Sequence, residues 1–260
     1  MSEWTISKKN KFPKLNKPVL IEGLPGIGNV GKVAVDFIIE ELRAVKLCEF
    51  FSYKLPHSVF VNEDSLVELP SISLYYKKMK KNDVLFLVGD VQPIDEESTY
   101  TFSEKVLDIF QEFRGSEIIT LGGIGLPSVP KKPKIYCTGN SPDIIKKYAF
   151  DGVDSKLYGV VGPIIGVSGL LLGLAKRRSI KAAALLAETY GHPMYLGIKG
   201  AREIVRVLNT KLSLGINLKE LDSEIKDIEE EVSRKSGIST SRKKSLRRLG
   251  RMGKDVSYIG

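Results

Sequence analysis

The sequence predicts an α/β domain built on a largely parallel sheet. Three observations point there. Short apolar runs of strand type alternate with helix-patterned segments along most of the 260 residues. One such run, 18–22, passes through a glycine-rich turn at 23–31 directly into a segment of helical periodicity. A run rich in alanine and leucine at 181–188 has the near-continuous apolar character of a central strand.

The elements follow in order. Lysine-rich residues at the start read as a solvated arm, so 1–16 are set apart as a flexible arm. After the strand at 18–22 and the glycine turn, 32–42 place Val33, Phe37, Ile38 and Leu42 at helical spacing. Further strands are expected at 45–51, 58–61, 71–76, 84–88, 117–121 and 134–138. Helices are expected at 100–113 and 142–149, the second with Ser141 as its N-cap. The stretch 160–174 combines glycines with aliphatic residues and predicts a turn followed by a buried helix. A helix over 199–212 places Ile204, Val205, Leu208 and Leu212 on one face. These elements make one α/β domain over 17–216. Beyond it, Leu218, Leu221, Ile225, Ile228 and Val232 form a heptad-spaced seam on a C-terminal helix at 217–233. The seam suits either docking on its own domain or an oligomer contact. Residues 234–260 are basic, poor in apolar side chains, and expected to be disordered in isolation.

Composition excludes several classes. Hydrophobic residues make up 42% and charged residues 27%, as in ordinary globular chains. No apolar run is long enough for a membrane helix, and the N-terminal residues lack signal-peptide order. The two cysteines, Cys48 and Cys137, lie in no paired spacing, which argues against a disulfide framework and against a zinc module. A reducing cytoplasm is the expected compartment. The formal charge of +9 is unevenly placed: residues 234–260 hold nine bases and one acid, a net of +8, leaving +1 for the rest. Nucleic-acid binding would therefore concern the tail alone, and it ranks below protein contact.

Gly26-Ile27-Gly28-Asn29-Val30-Gly31 fits a dinucleotide fingerprint, between a strand and a helix. It nearly fits a P-loop too, but Val33 stands where Ser or Thr would hold magnesium. Two readings are open: a phosphate or nucleotide held by Gly26, Gly28, Asn29 and Gly31 with Asp90 at a strand end, or a tight turn serving only close packing. Among acids with possible chemistry, Asp90, Asp95 and Glu188 stand out, while Glu96 and Glu97 suit a helix start. Glu188 lies near His192, one of two histidines with His57. No nucleophile elbow and no metal-ligand spacing occur, so no catalytic residue, metal or cofactor is assigned.

Five blocks together resemble the proteasome assembly chaperone family, in its archaeal branch. They are the glycine turn at 23–31, Gly89-Asp90-Val91-Gln92-Pro93, Gly122-Gly123-Ile124-Gly125, Val167-Ser168-Gly169-Leu170-Leu171-Leu172, and the block from Leu185 to Pro193. The resemblance spans about residues 17–232. Family members often continue with an Asp-Pro pair, whereas Tyr195-Leu196-Gly197-Ile198 follow here. The resemblance implies a phosphorylase/hydrolase-like three-layer domain that forms homo-oligomers and works by protein–protein contact, with proteasome subunits as partners. Some members end in a hydrophobic–Tyr–any tripeptide that inserts into the proteasome α-ring. Here Tyr258-Ile259-Gly260 is a degraded form of that signal. Val256, Tyr258, Ile259 and Gly260 are the expected partner-binding residues.

Overall fold

The structure, a computed structural model, describes residues 4–8, 12–62, 64–150, 152–157, 162–193, 195–223 and 225. A nine-stranded sheet, in the order β1-β3-β6-β7-β2-β8-β11-β9-β10, runs through the middle of the domain. Its strands are β1 (Thr5–Lys8), β2 (Val19–Gly23), β3 (Val45–Phe51), β6 (Ile72–Lys77), β7 (Val84–Gly89), β8 (Glu117–Leu126), β9 (Ile135–Gly139), β10 (Val153–Asp154) and β11 (Lys181–Tyr190). A separate two-stranded hairpin joins β4 (Phe60–Val61) to β5 (Val67–Glu68). The central strands β7, β2, β8 and β11 are parallel, as expected. Antiparallel pairs flank them: β6 against β7, β3 against β6, β1 against β3, and β9 against β11.

Two helical layers cover the sheet. Helices α1 (Val30–Leu42), α3 (Pro142–Tyr148) and α5 (Ile198–Leu212) lie on one face; α2 (Glu96–Glu112) and α4 (Val167–Arg177) lie on the other. Strand alternation divides the core accordingly. Val19 and Ile21 of β2 join the α1–α5 cluster, while Leu20 joins the α2–α4 cluster. In β11, Ala182, Ala183, Ala184 and Ala187 are buried on both faces, and these small side chains let α4 and α5 approach closely. Asp95 caps α2, accepting from the Ser98 N–H at 2.9 Å and from the Ser98 hydroxyl at 2.6 Å. These bonds hold the Asp95 carboxyl below its ordinary range. Ser141 does stand at the N-cap of α3, but its hydroxyl makes no capping bond. Among the described residues no helix is long and apolar enough to cross a membrane.

Two expectations change. The residues read as a solvated arm include β1, because Trp4 is buried against Phe102 and carries Thr5–Lys8 onto the edge of β3. The seam at 218–232 begins as a helix at 218–223, with Leu221 fully buried and Leu218 and Ile225 packed on the α1–α5 cluster. Its first three members are thus engaged inside this chain. Ile228 and Val232 lie outside the described residues, as do Val256, Tyr258, Ile259 and Gly260.

Candidate functional site

The parallel strands β2, β7, β8 and β11 end together, and the loops that follow them carry the five sequence blocks. Between β2 and α1 the chain makes a 3-10 turn over Ile27–Asn29. Gly28 has φ +61°, a left-handed conformation that favours glycine. A Cβ there would stand 2.6 Å from Thr189 Oγ1, and one on Gly31 would stand 2.6 Å from the Leu121 carbonyl oxygen. The Gly197 N–H donates to the Gly28 carbonyl at 2.7 Å. The glycines therefore let α1 sit directly on β8 and β11. Gly26 differs, having extended φ −159° and open space beside its Cα. Asn29 (φ +48°) stands at the N-cap of α1 without a capping side-chain bond. Lys32, the cation a phosphate would want, forms an ion pair with Asp36 at 2.9 Å. Burial pushes the Asp36 carboxyl up to about 6.

Next to the turn lies Glu22, which sequence reasoning passed over. It is 0% exposed. Its carboxylate accepts from the Leu24 N–H at 2.9 Å and from the Ser168 hydroxyl of α4 at 2.8 Å. Burial raises it from 4.5 to about 7, and the two hydrogen bonds hold it back from rising further. Gln92 completes the knot: its Nε2 donates to the Pro25 carbonyl at 2.7 Å, and its Oε1 accepts from the Val167 N–H at 3.3 Å. One carboxyl and one amide thus tie the glycine turn to the start of α4.

The other acids serve the frame. Asp90 accepts from the Ser71 N–H at 3.3 Å and hydroxyl at 3.2 Å, closing the β6–β7 end. Glu188 accepts from the Lys134 N–H at 3.0 Å and the Tyr136 hydroxyl at 3.2 Å, tying β11 to β9. His192 stacks on Tyr190 at 5.6 Å, and His57 is exposed in a loop. Glu96 and Glu97 open α2, as expected. Among the described residues no group of three or more His, Cys, Asp or Glu could hold a metal.

What this end does offer is apolar surface. Of the twelve large apolar side chains exposed among the described residues, eleven lie at the carboxyl end of the parallel strands; Val45 is the exception. Val59, Val61, Leu66, Val67 and Leu69 belong to the β4–β5 hairpin and its flanks. Ile94, Tyr100 and Ile165 rim an open groove of about 480 Å³ between the Gln92–Glu96 loop and the start of α4. Tyr53, Ile27 and Val129 follow β3, β2 and β8. Exposed apolar side chains that cluster on a surface are a mark of contact sites.

The chain is thus a three-layer α/β domain whose glycine blocks serve close packing. Its sequence matches the model of the PAC2 family over residues 20–235. The chain belongs to that family. PbaB of Pyrococcus furiosus, an archaeal proteasome activator, is 32% identical, with a TM-score of 0.82 over 91% of this chain and 100% of that one. PbaA of the same organism, an archaeal homolog of proteasome-assembly chaperone, is 25% identical, with a TM-score of 0.75 over 96% and 99% of the two chains. The uncharacterised protein MJ1210 of Methanocaldococcus jannaschii is 29% identical over 98% of this chain and 97% of its own length.

Proposed function

We propose that this chain is a non-enzymatic, homo-oligomeric cytoplasmic protein that assists or regulates proteasomes through protein–protein contacts. The observation that carries this reading is the gathering of eleven exposed apolar side chains at one end of the sheet. The family membership and the full-length similarity to PbaB support the choice of partner. Contact with the proteasome is assigned to Val256, Tyr258, Ile259 and Gly260, in a segment of net charge +8 that would be steered towards an acidic surface. Within the seam, Ile228 and Val232 are the members left for a subunit contact, since Leu218, Leu221 and Ile225 pack on this chain's own core. Several tails on one oligomer would reinforce one another through effective concentration.

The test is an affinity pull-down from native lysate with the full chain and with a chain lacking residues 234–260, the captured proteins being identified by mass spectrometry. Proteasome subunits are expected with the full chain and lost with the shortened one. Their absence from the full-chain capture, or an identical profile from both, would overturn the reading.

A further inference from the structure

The β4–β5 hairpin is built as a firm projection. Asn62 Oδ1 accepts from the N–H groups of Asp64 and Leu66, and the Asn62 N–H donates to the Leu66 carbonyl at 2.9 Å. Yet among the described residues the hairpin pairs with no other strand, and Val59, Val61, Leu66, Val67 and Leu69 are each more than half exposed. A two-stranded hairpin alone is marginal in water, so this one calls for a cover.

Its charge says what kind. From residue 58 to 69 the sequence holds three acids, Glu63, Asp64 and Glu68, and no base. At the same end of the sheet, the β8–β9 connection shows the opposite character. Residues 127–134 hold Lys131, Lys132 and Lys134 and no acid, interleaved with Val129 and three prolines. The three lysines and Val129 are exposed. Within one chain the two are set apart across the sheet. The hairpin follows β3 and the lysines precede β9, and β6 and β9 stand five strand spacings apart, roughly 24 Å. The opposite end of the sheet is no alternative face. It exposes the bases Arg43, Lys78, Lys80, Lys81, Arg114 and Arg177 against the exposed acids Glu40 and Glu112, an excess of like charge that disfavours pairing with its own copy.

We propose that the β4–β5 hairpin of one copy docks on the β8–β9 connection of a second copy of this chain. Apolar side chains would be covered by Val129 and its prolines, and Asp64 would be brought against Lys131 and Lys132. Because each chain carries both halves, the contact closes either as a reciprocal two-fold pair or as a ring. Val59, Val61, Leu66, Val67 and Leu69 of the hairpin, and Val129 of the connection, supply the apolar part of the contact, each about half exposed or more. This inference rests on the oligomeric part of the proposed function and gives it a surface.

Sedimentation of the full chain at micromolar concentration tests it, with circular dichroism to confirm folding. The wild type should run at a multiple of 28.8 kDa. Val67→Glu should reduce it to the monomer mass. Asp64→Lys should weaken association at least fivefold, as should Lys131→Glu with Lys132→Glu, and combining the two reversals should restore it to within about twofold. Assembly unchanged by Val67→Glu and Asp64→Lys, or reversals that do not compensate, would overturn the surface while leaving the oligomer intact. A wild type at 28.8 kDa would overturn both.

Discussion

Replacing Glu22 by Gln should remove a large part of this protein's pH dependence. The carboxyl is fully buried, and burial raises it to about 7 from its ordinary value of 4.5. The unfolded chain gives it up near 4.5, so between those values the folded state binds the proton more tightly. Its stabilising contribution is therefore complete below pH 4.5 and lost as pH rises through 7. The gap corresponds to about 3 kcal/mol once both states are ionised. Gln keeps an acceptor for the Leu24 N–H and offers Ser168 an N–H in place of a lone pair, without the charge. Relative to wild type, Glu22→Gln should gain up to about 3 kcal/mol at pH 8.5, roughly 6–12 °C in Tm, and almost nothing at pH 4. Asp36 shifts in the same direction but is present in both proteins and cancels in the comparison. Scanning calorimetry at pH 4, 7 and 8.5 reads the difference. Parallel pH profiles for the two proteins would refute the argument that Glu22 is buried and held protonated near neutrality.

Ser168→Ala removes one of the bonds to the Glu22 carboxylate and should cost about 1–3 kcal/mol, more at pH 8.5 than at pH 5, as read by urea midpoints. Gly28→Val should cost at least about 2 kcal/mol, since it combines φ +61° with a Cβ 2.6 Å from Thr189, whereas Gly26→Ala should stay within about 0.5 kcal/mol; equal losses at the two positions would contradict the packing account. Millimolar ATP or NAD should leave the Tm unchanged, and a rise would point to a ligand at the turn.

Much of the frame was legible because parallel strands buried on both faces read as apolar runs, and 18–22, 84–88, 117–121 and 181–188 all became central strands. The glycine turn between strand and helix was legible as well. Its chemistry was not, because spacing cannot distinguish a glycine facing a phosphate from one facing Thr189. Glu22 had a signal that went unused: a single acid ending an apolar strand is either solvated or buried with partners, and Ser168 supplies one from 146 residues away. The edge strand β1 was hidden by the lysine-rich sequence around it; Lys8 is exposed while the buried Trp4 anchors the backbone. The second strand of the hairpin was hidden because Val67 and Glu68 face solvent and show no core-directed alternation. Exposed apolar residues read as core when only sequence is available, so the apolar end emerges from the fold alone.

The most direct test of the proposal that this protein grips a proteasome is titration of purified archaeal proteasome core particles with the full chain and with one lacking residues 258–260. The account predicts saturable binding that weakens at least about tenfold on removal of Tyr258-Ile259-Gly260, on the order of 1.4 kcal/mol, with oligomer mass and Tm unchanged. No binding by the full chain, or the same affinity without its last three residues, would contradict it.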